Sequence, residues 1–288
     1  MFNVIESNMI VPNLHLLTLE APEIVPEIQP GQFVILRAEQ DGERIPLSIS
    51  DWDLEAGTLS VIFMNVGVTT GKLAALKPGM QIPTVVGPLG IKTEIENFGT
   101  VLCVGGCYGI GSIFPIARAL KELGNRVISV IEARSNYLFY WEDKLKQVSD
   151  QLLYITRDGT KGYKGHVRRL PQIIQSVGSK VDRVIVNGCS LLVKLSSDVT
   201  RPLEIKTIVS LAPIMIDGTG MCGVCRVSLG ETTRFACVHG PDFDGHEVNW
   251  EELAQRRKMY FNEESVPLQT SRCEEHAEKI LAEHLNLE

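Results

Sequence analysis

One carboxylate and three cysteines follow one another at a spacing that few folds accommodate. Asp217, Cys222, Cys225 and Cys237 are separated by four, two and eleven residues. This is close to the plant-type iron-sulfur spacing, in which a cysteine takes the first position. The segment is rich in glycine, and residues without Cβ let backbone N–H groups approach cluster sulfides. The pattern predicts an iron-sulfur cluster and a protein that carries single electrons.

Two alternatives use the same segment. Cys222, Cys225, Cys237 and His239 can form a tetrahedral zinc site, which would be structural and would carry no electrons. The three cysteines can also be ordinary buried residues, although a Cys-x2-Cys pair in a glycine-rich loop is an uncommon way to fill a core. The motif favours the cluster over both. Asp217 is then the fourth ligand, and as a harder donor than thiolate it is expected to alter the redox potential.

Length and composition set wider limits. A chain of 288 residues is long enough for two domains, or for three if one is small. Its hydrophobic share of 44% and charged share of 22% are those of an ordinary soluble protein, and no apolar run is as long as a membrane span. Clustered cysteines and the lack of a signal sequence favour the reducing cytoplasm. The net charge of -7 argues against nucleic acid as a partner.

The first third of the chain consists of short apolar segments divided by turn dipeptides such as Pro30-Gly31 and Pro78-Gly79. This pattern predicts a six-stranded antiparallel barrel over residues 1–98, with one short helix at 69–76. The predicted strands are 2–10, 14–19, 33–38, 45–50, 59–65 and 81–86.

From about residue 100 the pattern changes to alternating apolar strands and amphipathic helices. It predicts a doubly wound parallel sheet over residues 99–211. The expected strands are 101–104, 127–131, 152–155, 184–186 and 207–211, with helices at 112–123, 137–148, 166–176 and 191–199. Residues 212–246 are assigned to the iron-sulfur region and 247–288 to a helical tail, with a helix at 274–287.

A glycine-rich loop joins the first strand of this sheet to the following helix. Gly106, Gly109, Ile110 and Gly111 lie where a dinucleotide's pyrophosphate can bind free N–H groups at a helix N-terminus. The alternative is a tight turn that only allows close packing of helix and strand.

Polar residues at the ends of the later strands are further nucleotide candidates, because ligands bind at the carboxyl edge of such sheets. Glu132 suits a ribose 2′-hydroxyl and favours NAD, whereas Arg134 suits a 2′-phosphate and favours NADP. Asp158 follows the third strand. Asn187, Gly188 and Cys189 follow the fourth, where Cys189 could face a nicotinamide.

In the barrel, Arg44 offers a guanidinium suited to phosphate, and Ser48 lies on the same strand face. The helix start at Thr69 and Thr70 is a second anion site. Together these residues are expected to hold a flavin's diphosphate, although each signal alone is weak.

Five motifs occur in one order: Arg44-Ile-Pro-Leu-Ser48, Gly67-x-Thr-Thr70, Gly87-Pro-Leu-Gly90, the glycine-rich loop and the cysteine segment (residues 217–237). This order resembles the ferredoxin-NADP reductase superfamily. Within it, residues 207–222 and 237–246 are similar to electron-transfer subunits of the dihydroorotate dehydrogenase type. They are more similar still to the small, alpha subunits of NADH-dependent reduced ferredoxin:NADP oxidoreductases, also known as sulfide dehydrogenase beta subunits.

The resemblance implies FAD in the barrel, NAD(H) or NADP(H) on the sheet, and a 2Fe-2S cluster with Asp217 among its ligands. No side chain is expected to act as a proton-transfer catalyst. The implied FAD-binding residues are Arg44, Ile45, Pro46, Leu47, Ser48, Phe63, Met64, Asn65, Gly67, Thr69 and Thr70.

The resemblance also implies a function: hydride exchange with NAD(P)H and transfer of single electrons to a partner. That partner would be a larger FAD and iron-sulfur subunit of an electron-bifurcating complex, with ferredoxin or a hydrogenase as further candidates. The alternatives are a self-sufficient reductase of a soluble carrier and a nucleotide-binding scaffold with a structural zinc. The chain departs from the family at Asn187-Gly-Cys-Ser, where Gly-Pro and then Met-Met-Lys are common, which leaves nucleotide preference open.

Overall fold

The structure is a computed structural model in which residues 1–260 are described. The predicted helix at 274–287 and most of the predicted tail lie outside the described residues. Within residues 1–260, every helix is too short or too polar to cross a membrane.

Seven antiparallel strands form the first sheet, in the order β6-β1-β2-β5-β4-β3-β7. Buried aliphatic side chains of the inner strands fill it, as in the wholly apolar run at the start of β3. One short helix, α1 (Val68–Ala74), covers the sheet. The strands are β1 (Phe2–Val11), β2 (Leu14–Glu20), β3 (Phe33–Arg37), β4 (Ile45–Asp53), β5 (Thr58–Met64), β6 (Gln81–Ile82) and β7 (Thr84–Leu89).

The predicted antiparallel barrel is confirmed, with one difference in its strand count. The predicted strand 81–86 is two strands, β6 and β7, on opposite edges of the sheet. Pro83 lies between them and has no N–H to donate, so the ladder ends there and the chain turns a corner. This single residue joins the two edges, and the barrel is thereby nearly closed.

The second sheet has the order β11-β10-β9-β8-β12-β13-β16, where β16 is Asp242–Asp244. All neighbouring pairs are parallel except β13 with β16, which is antiparallel. Helices lie on both faces, which confirms the predicted doubly wound sheet. The strands are β8 (Thr100–Gly106), β9 (Arg126–Ala133), β10 (Gln151–Thr156), β11 (Tyr163–Lys164), β12 (Arg183–Asn187) and β13 (Thr207–Ser210), and the helices are α2 (Gly109–Glu122), α3 (Glu142–Gln147), α4 (Leu170–Ser176) and α5 (Ser190–Thr200).

The predicted helix at 137–148 is wrong in length. A 3-10 turn covers Asn136–Leu138, and α3 begins only at Glu142. Trp141, just before it, has a left-handed φ of 54°. Its ring packs edge-on against Phe114 of α2, and this tertiary contact accompanies the interruption of the helix.

The remaining described segment returns to the second sheet. A hairpin of β14 (Arg226–Leu229) and β15 (Thr232–Phe235) leads into a one-turn helix, α6 (Ala236–His239). Strand β16 (Asp242–Asp244) then pairs with β13, and α7 (Trp250–Arg257) follows. The cysteine segment therefore begins and ends at neighbouring strands, β13 and β16, on the edge of the second sheet.

Helix α2 lies between the barrel and the second sheet. Its residues from Gly109 to Ala117 are all buried, because both sides of the helix are covered. On the barrel, the Asp51 carboxylate accepts hydrogen bonds from Arg118 of α2 at 3.0 Å and from Lys144 of α3 at 2.8 Å. These half-buried charges connect the two halves of the chain.

We expect Asp51→Ala to lower the free energy of unfolding by about 1–2 kcal/mol, because two charge-assisted hydrogen bonds between the halves are lost. Urea unfolding measures the change. The control is Asp198→Ala, which removes an exposed i,i+4 pair with Lys194 and should change stability by no more than about 0.5 kcal/mol. Equal effects of the two substitutions would contradict a structural role for the Asp51 contacts.

Candidate cofactor and electron-transfer site

An open crevice lies where the barrel, the second sheet and the start of the cysteine segment meet. The crevice is at the switch point of the sheet, between β8 and β12, where ligands bind in doubly wound folds. Its lining residues are Phe33, Pro46, Ser48, Tyr108, Ser112, Asn187, Gly188, Ser210, Leu211, Ala212, Pro213, Met215 and Pro241.

The loops that follow β8 and β12 touch each other beside this crevice. The Tyr108 hydroxyl donates to the carbonyl oxygen of Gly188 at 3.0 Å. A Cβ on Gly109 would clash with the backbone of Asn187, so only glycine allows the loops to come so close. The presence of glycine at position 109 is thus explained by close packing alone, which was the alternative to nucleotide binding for this loop.

The start of α2 is held by an aromatic residue from a distant segment. Tyr140 accepts a hydrogen bond from the N–H of Gly111 at 2.9 Å, and its own hydroxyl donates to the carbonyl oxygen of Cys107 at 2.9 Å. Part of the helix N-terminus is thus already satisfied within the protein. The loop is fixed in place before any anion binds.

On the barrel side, Pro46 and Ser48 reach the crevice, and Arg44 is exposed just before β4. The hydroxyls of the predicted helix-start site are engaged within the protein. The Thr69 hydroxyl donates to Glu43 at 3.1 Å, whereas that of Thr70 accepts from the N–H of Gly67 at 2.9 Å.

The three residues at the end of β5 have different surroundings. Phe63 is buried in the barrel core, where it stacks on His15, and it does not line the crevice. Met64 contacts Cys107 of the glycine-rich loop, with 3.2 Å between the sulfur atoms. Asn65 is exposed.

The cysteine segment brings some of its predicted ligands together. Cys225 and Cys237 are buried, and their sulfur atoms are 3.1 Å apart. Burial, together with Cys225, raises the pKa of Cys237 to about 12, while the N–H of Gly220 donates to its sulfur. Cys222 is exposed. In residues 1–260, Asp217 and Cys222 do not join this pair in a compact ligand group.

The same segment packs on the barrel. Gly218 has a left-handed φ of 83°, and a Cβ there would clash with Ile35 of β3. Hydrogen bonds from Thr219, with a smaller effect from the charge of Arg44, hold the pKa of Asp217 below its ordinary value. Asp217 is therefore close to the arginine predicted to hold the flavin phosphate.

The donor chemistry of the segment fits an iron-sulfur cluster. Two buried cysteine sulfurs in contact are a pair of donors of the kind that iron binds, since iron is a Lewis acid that displaces thiol protons when it is bound. A backbone N–H directed at a sulfur is also the usual support of a cluster ligand. His239 is less suited to zinc, since its Nδ1 accepts a hydrogen bond from the N–H of Phe235 at 3.0 Å.

Comparison with known proteins supports this assignment. Residues 212–249 match the family model of the iron-sulfur cluster binding domain of dihydroorotate dehydrogenase B. The chain is 42% identical over 249 residues to the dihydroorotate dehydrogenase B (NAD(+)) electron transfer subunit homolog of Thermotoga maritima, covering 86% of this chain and 87% of that protein. It is 30% identical over 256 residues to the electron transfer subunit of Bacillus mycoides, covering 85% and 96%.

The chain belongs to the family of dihydroorotate dehydrogenase B electron transfer subunits and their homologues.

A solved structure agrees with this membership. One chain of the NADH-dependent reduced ferredoxin-NADP oxidoreductase, from a study of flavin-based electron bifurcation, superposes with a TM-score of 0.88 at 38% identity, covering 93% of this chain and 97% of that one. The resemblance read from the sequence is confirmed. The proteins of this electron transfer subunit family are oxidoreductase subunits.

Some crevice residues of this family member were not among those predicted. Tyr108 and Ser112 both line the crevice. A bulky aromatic residue in the middle of a glycine-rich loop was a signal for Tyr108. Ser112 carried no comparable signal, because a serine in the first turn of a helix is common.

The sequence suggested Glu132 as a ribose ligand, and this is wrong. Its side chain is 4% exposed and turned into the protein, where it accepts a hydrogen bond from the N–H of Val167 at 2.8 Å. Arg157 and His166 lie on its other oxygen, at 3.7 and 3.3 Å. Burial raises the pKa of Glu132 to about 7, although the charge of Arg157 opposes the shift.

At the same edge of the sheet, Arg134 and Asp158 are exposed at the ends of β9 and β10. The two strand ends are joined there, because the N–H of Asp158 donates to the carbonyl oxygen of Arg134 at 3.2 Å. The Asp158 carboxylate accepts from the N–H of Thr160 at 3.0 Å. Cys189, just beyond β12, is half-buried.

Glu132 gives this family member a distinctive pH dependence of stability. The folded protein holds its proton more tightly than the unfolded chain, where the pKa has its ordinary value of 4.5. Stability from this group is therefore present at low pH and is lost as pH rises from 4.5 to about 7. Burial lowers the pKa of the neighbouring His166 to about 4, so that group acts in the opposite direction below its ordinary value of 6.5.

We expect Glu132→Gln to become more stable relative to the unsubstituted protein as pH rises across that window, by up to about 3 kcal/mol. The contribution of His166 is common to both proteins and largely cancels in the difference. Denaturant unfolding at a series of pH values measures the difference in the free energy of unfolding between the two proteins. Glu55→Gln, at an exposed position, is the control. Parallel stability curves for all three proteins would show that Glu132 does not titrate in this range.

Proposed function

We propose that this chain exchanges hydride with NAD(P)H at a bound FAD and passes the electrons singly through a 2Fe-2S cluster to a partner subunit. The observation that supports the proposal is the crevice between the barrel and the second sheet. Pro46 and Ser48 from the barrel, Asn187 and Gly188 from the sheet, and the segment that leads to Asp217 share its walls.

The barrel residues would hold FAD. Arg44 would bind its diphosphate as a fixed positive fork, and Ser48 would donate or accept one hydrogen bond at the crevice wall. Pro46 lacks an N–H and presents a flat apolar surface suited to a ring system. When bound, FAD supplies the ability to take two electrons together and release them one at a time.

The second sheet would hold the nicotinamide nucleotide. Gly106, Gly109, Ile110 and Gly111 form the loop over which a pyrophosphate would lie, and Arg134 and Asp158 are exposed at the edge that the adenosine half would reach. Tyr108, bonded to Gly188, closes the crevice from the side of the glycine-rich loop. With the barrel opposite, these walls would orient the reacting rings and limit the access of water.

The cysteine segment would provide the exit for electrons. Asp217, Cys222, Cys225 and Cys237 would hold the cluster, with Cys222 and the 88% exposed Met221 on the outer side. Each hydride brings two electrons, so one hydride supports two successive single-electron transfers. An exposed outer side is where a partner can come close enough to receive them.

We further propose that the partner is a larger subunit carrying FAD and iron-sulfur centres, in an electron-bifurcating complex. The similarity to a chain of the NADH-dependent reduced ferredoxin-NADP oxidoreductase supports this over a self-sufficient reductase. Ferredoxin or a hydrogenase assembly would then be a further acceptor.

The proposal is tested on protein purified without oxygen. We expect about one FAD and about two iron atoms per chain, with flavin absorption at about 450 nm and a broad iron-sulfur shoulder. NADH or NADPH should bleach both. Cys225→Ser should lose the iron and keep the flavin, whereas Cys103→Ala, at a buried cysteine outside the segment, should keep both. A colourless protein that contains zinc would reject the proposal.

The role of Asp217 is tested separately. If its carboxylate binds iron, Asp217→Cys should give a cluster with altered electron paramagnetic resonance and a more negative potential, because thiolate donates more charge to iron. Asp198→Cys, on the exposed face of α5, is the control and should leave both unchanged. An unaltered spectrum and potential in Asp217→Cys would show that this carboxylate is not a ligand.

A further inference from the structure

A buried amide at the end of β12 has an unused acceptor in the crevice wall. The Asn187 side chain is 3% exposed, and its Nδ2 donates to the hydroxyl of Ser112 at 3.1 Å. Its Oδ1 is buried and has no hydrogen-bond partner among residues 1–260. Because an unpaired buried acceptor is destabilising, native proteins rarely leave one unless a ligand or water completes it.

The contacts of Ser112 fix which end of the amide is unused. The Ser112 hydroxyl donates to the carbonyl oxygen of Gly109 at 3.4 Å, so towards Asn187 it acts as an acceptor. The atom that faces Ser112 must therefore be Nδ2, the donor. Oδ1 is left as the acceptor, and its missing partner has to be a hydrogen-bond donor.

Other acceptors on the same loop are already engaged. The carbonyl oxygen of Gly188 accepts from the Tyr108 hydroxyl, and the backbone of Asn187 is packed against Gly109. Asn187 is among the residues that line the crevice, so a donor packed tightly against the sheet-side wall would complete Oδ1.

We infer that Asn187 Oδ1 accepts a hydrogen bond from the carboxamide N–H2 of the nicotinamide ring, which makes Asn187 a specificity-determining residue. The inference rests on the proposed function. Asn187 lies on the sheet side of the crevice, at the switch point where dinucleotides bind in doubly wound folds, while Pro46 and Ser48 lie on the barrel side and would face the proposed flavin. The carboxamide is the polar group of the nicotinamide ring, and its nitrogen is the donor that a lone acceptor requires.

The test compares binding of NAD+ and NADP+ with that of their 3-acetylpyridine analogues, in which a methyl ketone replaces the carboxamide. Calorimetry on the oxidised FAD-loaded protein gives equilibrium affinities without turnover. We expect the analogue to bind about tenfold more weakly than its parent, because Oδ1 stays unpaired. Asn187→Ala should bind parent and analogue within about twofold of each other, since no acceptor remains to distinguish them.

Two further variants keep the test decisive. Ser112→Ala frees the amide to turn and should lower the discrimination without abolishing it, while the exposed Asn8→Ala in the barrel should preserve it. Circular dichroism and FAD content confirm that each variant is folded. Equal binding of parent and analogue by the unsubstituted protein, or discrimination retained in folded Asn187→Ala, would overturn the inference alone. No binding of either nucleotide would reject the proposed function and the inference with it.

Discussion

The position of helix α2 between the barrel and the second sheet is the constraint on which the crevice depends. Gly109 brings the start of the helix against the backbone after β12, and a Cβ on Gly111 would meet Ile62 and Ser50 of the barrel. A larger side chain at Gly109 would push the helix away from the loop after β12, and one at Gly111 would push it away from the barrel. Arg118, further along the same helix, bonds to Asp51 and lies over Trp52 at 4.9 Å. One helix thus contacts both the barrel and the loop after β12, on the two sides of the crevice.

The arrangement puts the two-electron and one-electron parts of the proposed function side by side. Gly218 packs under β3 of the barrel, and Asp217 lies near Arg44. At its other end the cysteine segment leads into β16, which pairs with β13 of the second sheet. The hydroxyl of Thr93, in the loop between β7 and β8, donates to the carboxylate of Asp242 in β16 at 2.5 Å. The cysteine segment is therefore in contact with both larger units.

Much of the fold could be read from local pattern. Turn dipeptides and short apolar segments marked the barrel strands, and the strand, glycine loop and helix around Gly109 were placed to within a few residues. The failures are places where distant residues decide. Pro83 separates two strands that belong to opposite edges, and Trp141 turns left-handed beside Phe114 of another helix. Neither partner is visible in a short window of sequence, because each depends on how the elements pack.

The sequence by itself determined the order of the units and the chemistry available in each. Two local sequence patterns carry this information. One is the spacing of Cys222, Cys225 and Cys237, and the other is the glycine-rich loop between a strand and a helix. The tertiary structure alone decided which side chains face the crevice. It turned Glu132 inward, joined Tyr108 to Gly188, and left one oxygen of Asn187 without a partner. The physical reason is that burial and hydrogen bonding are satisfied between residues far apart in the chain, and those pairings exist only once the sheet, helix α2 and the barrel are packed together.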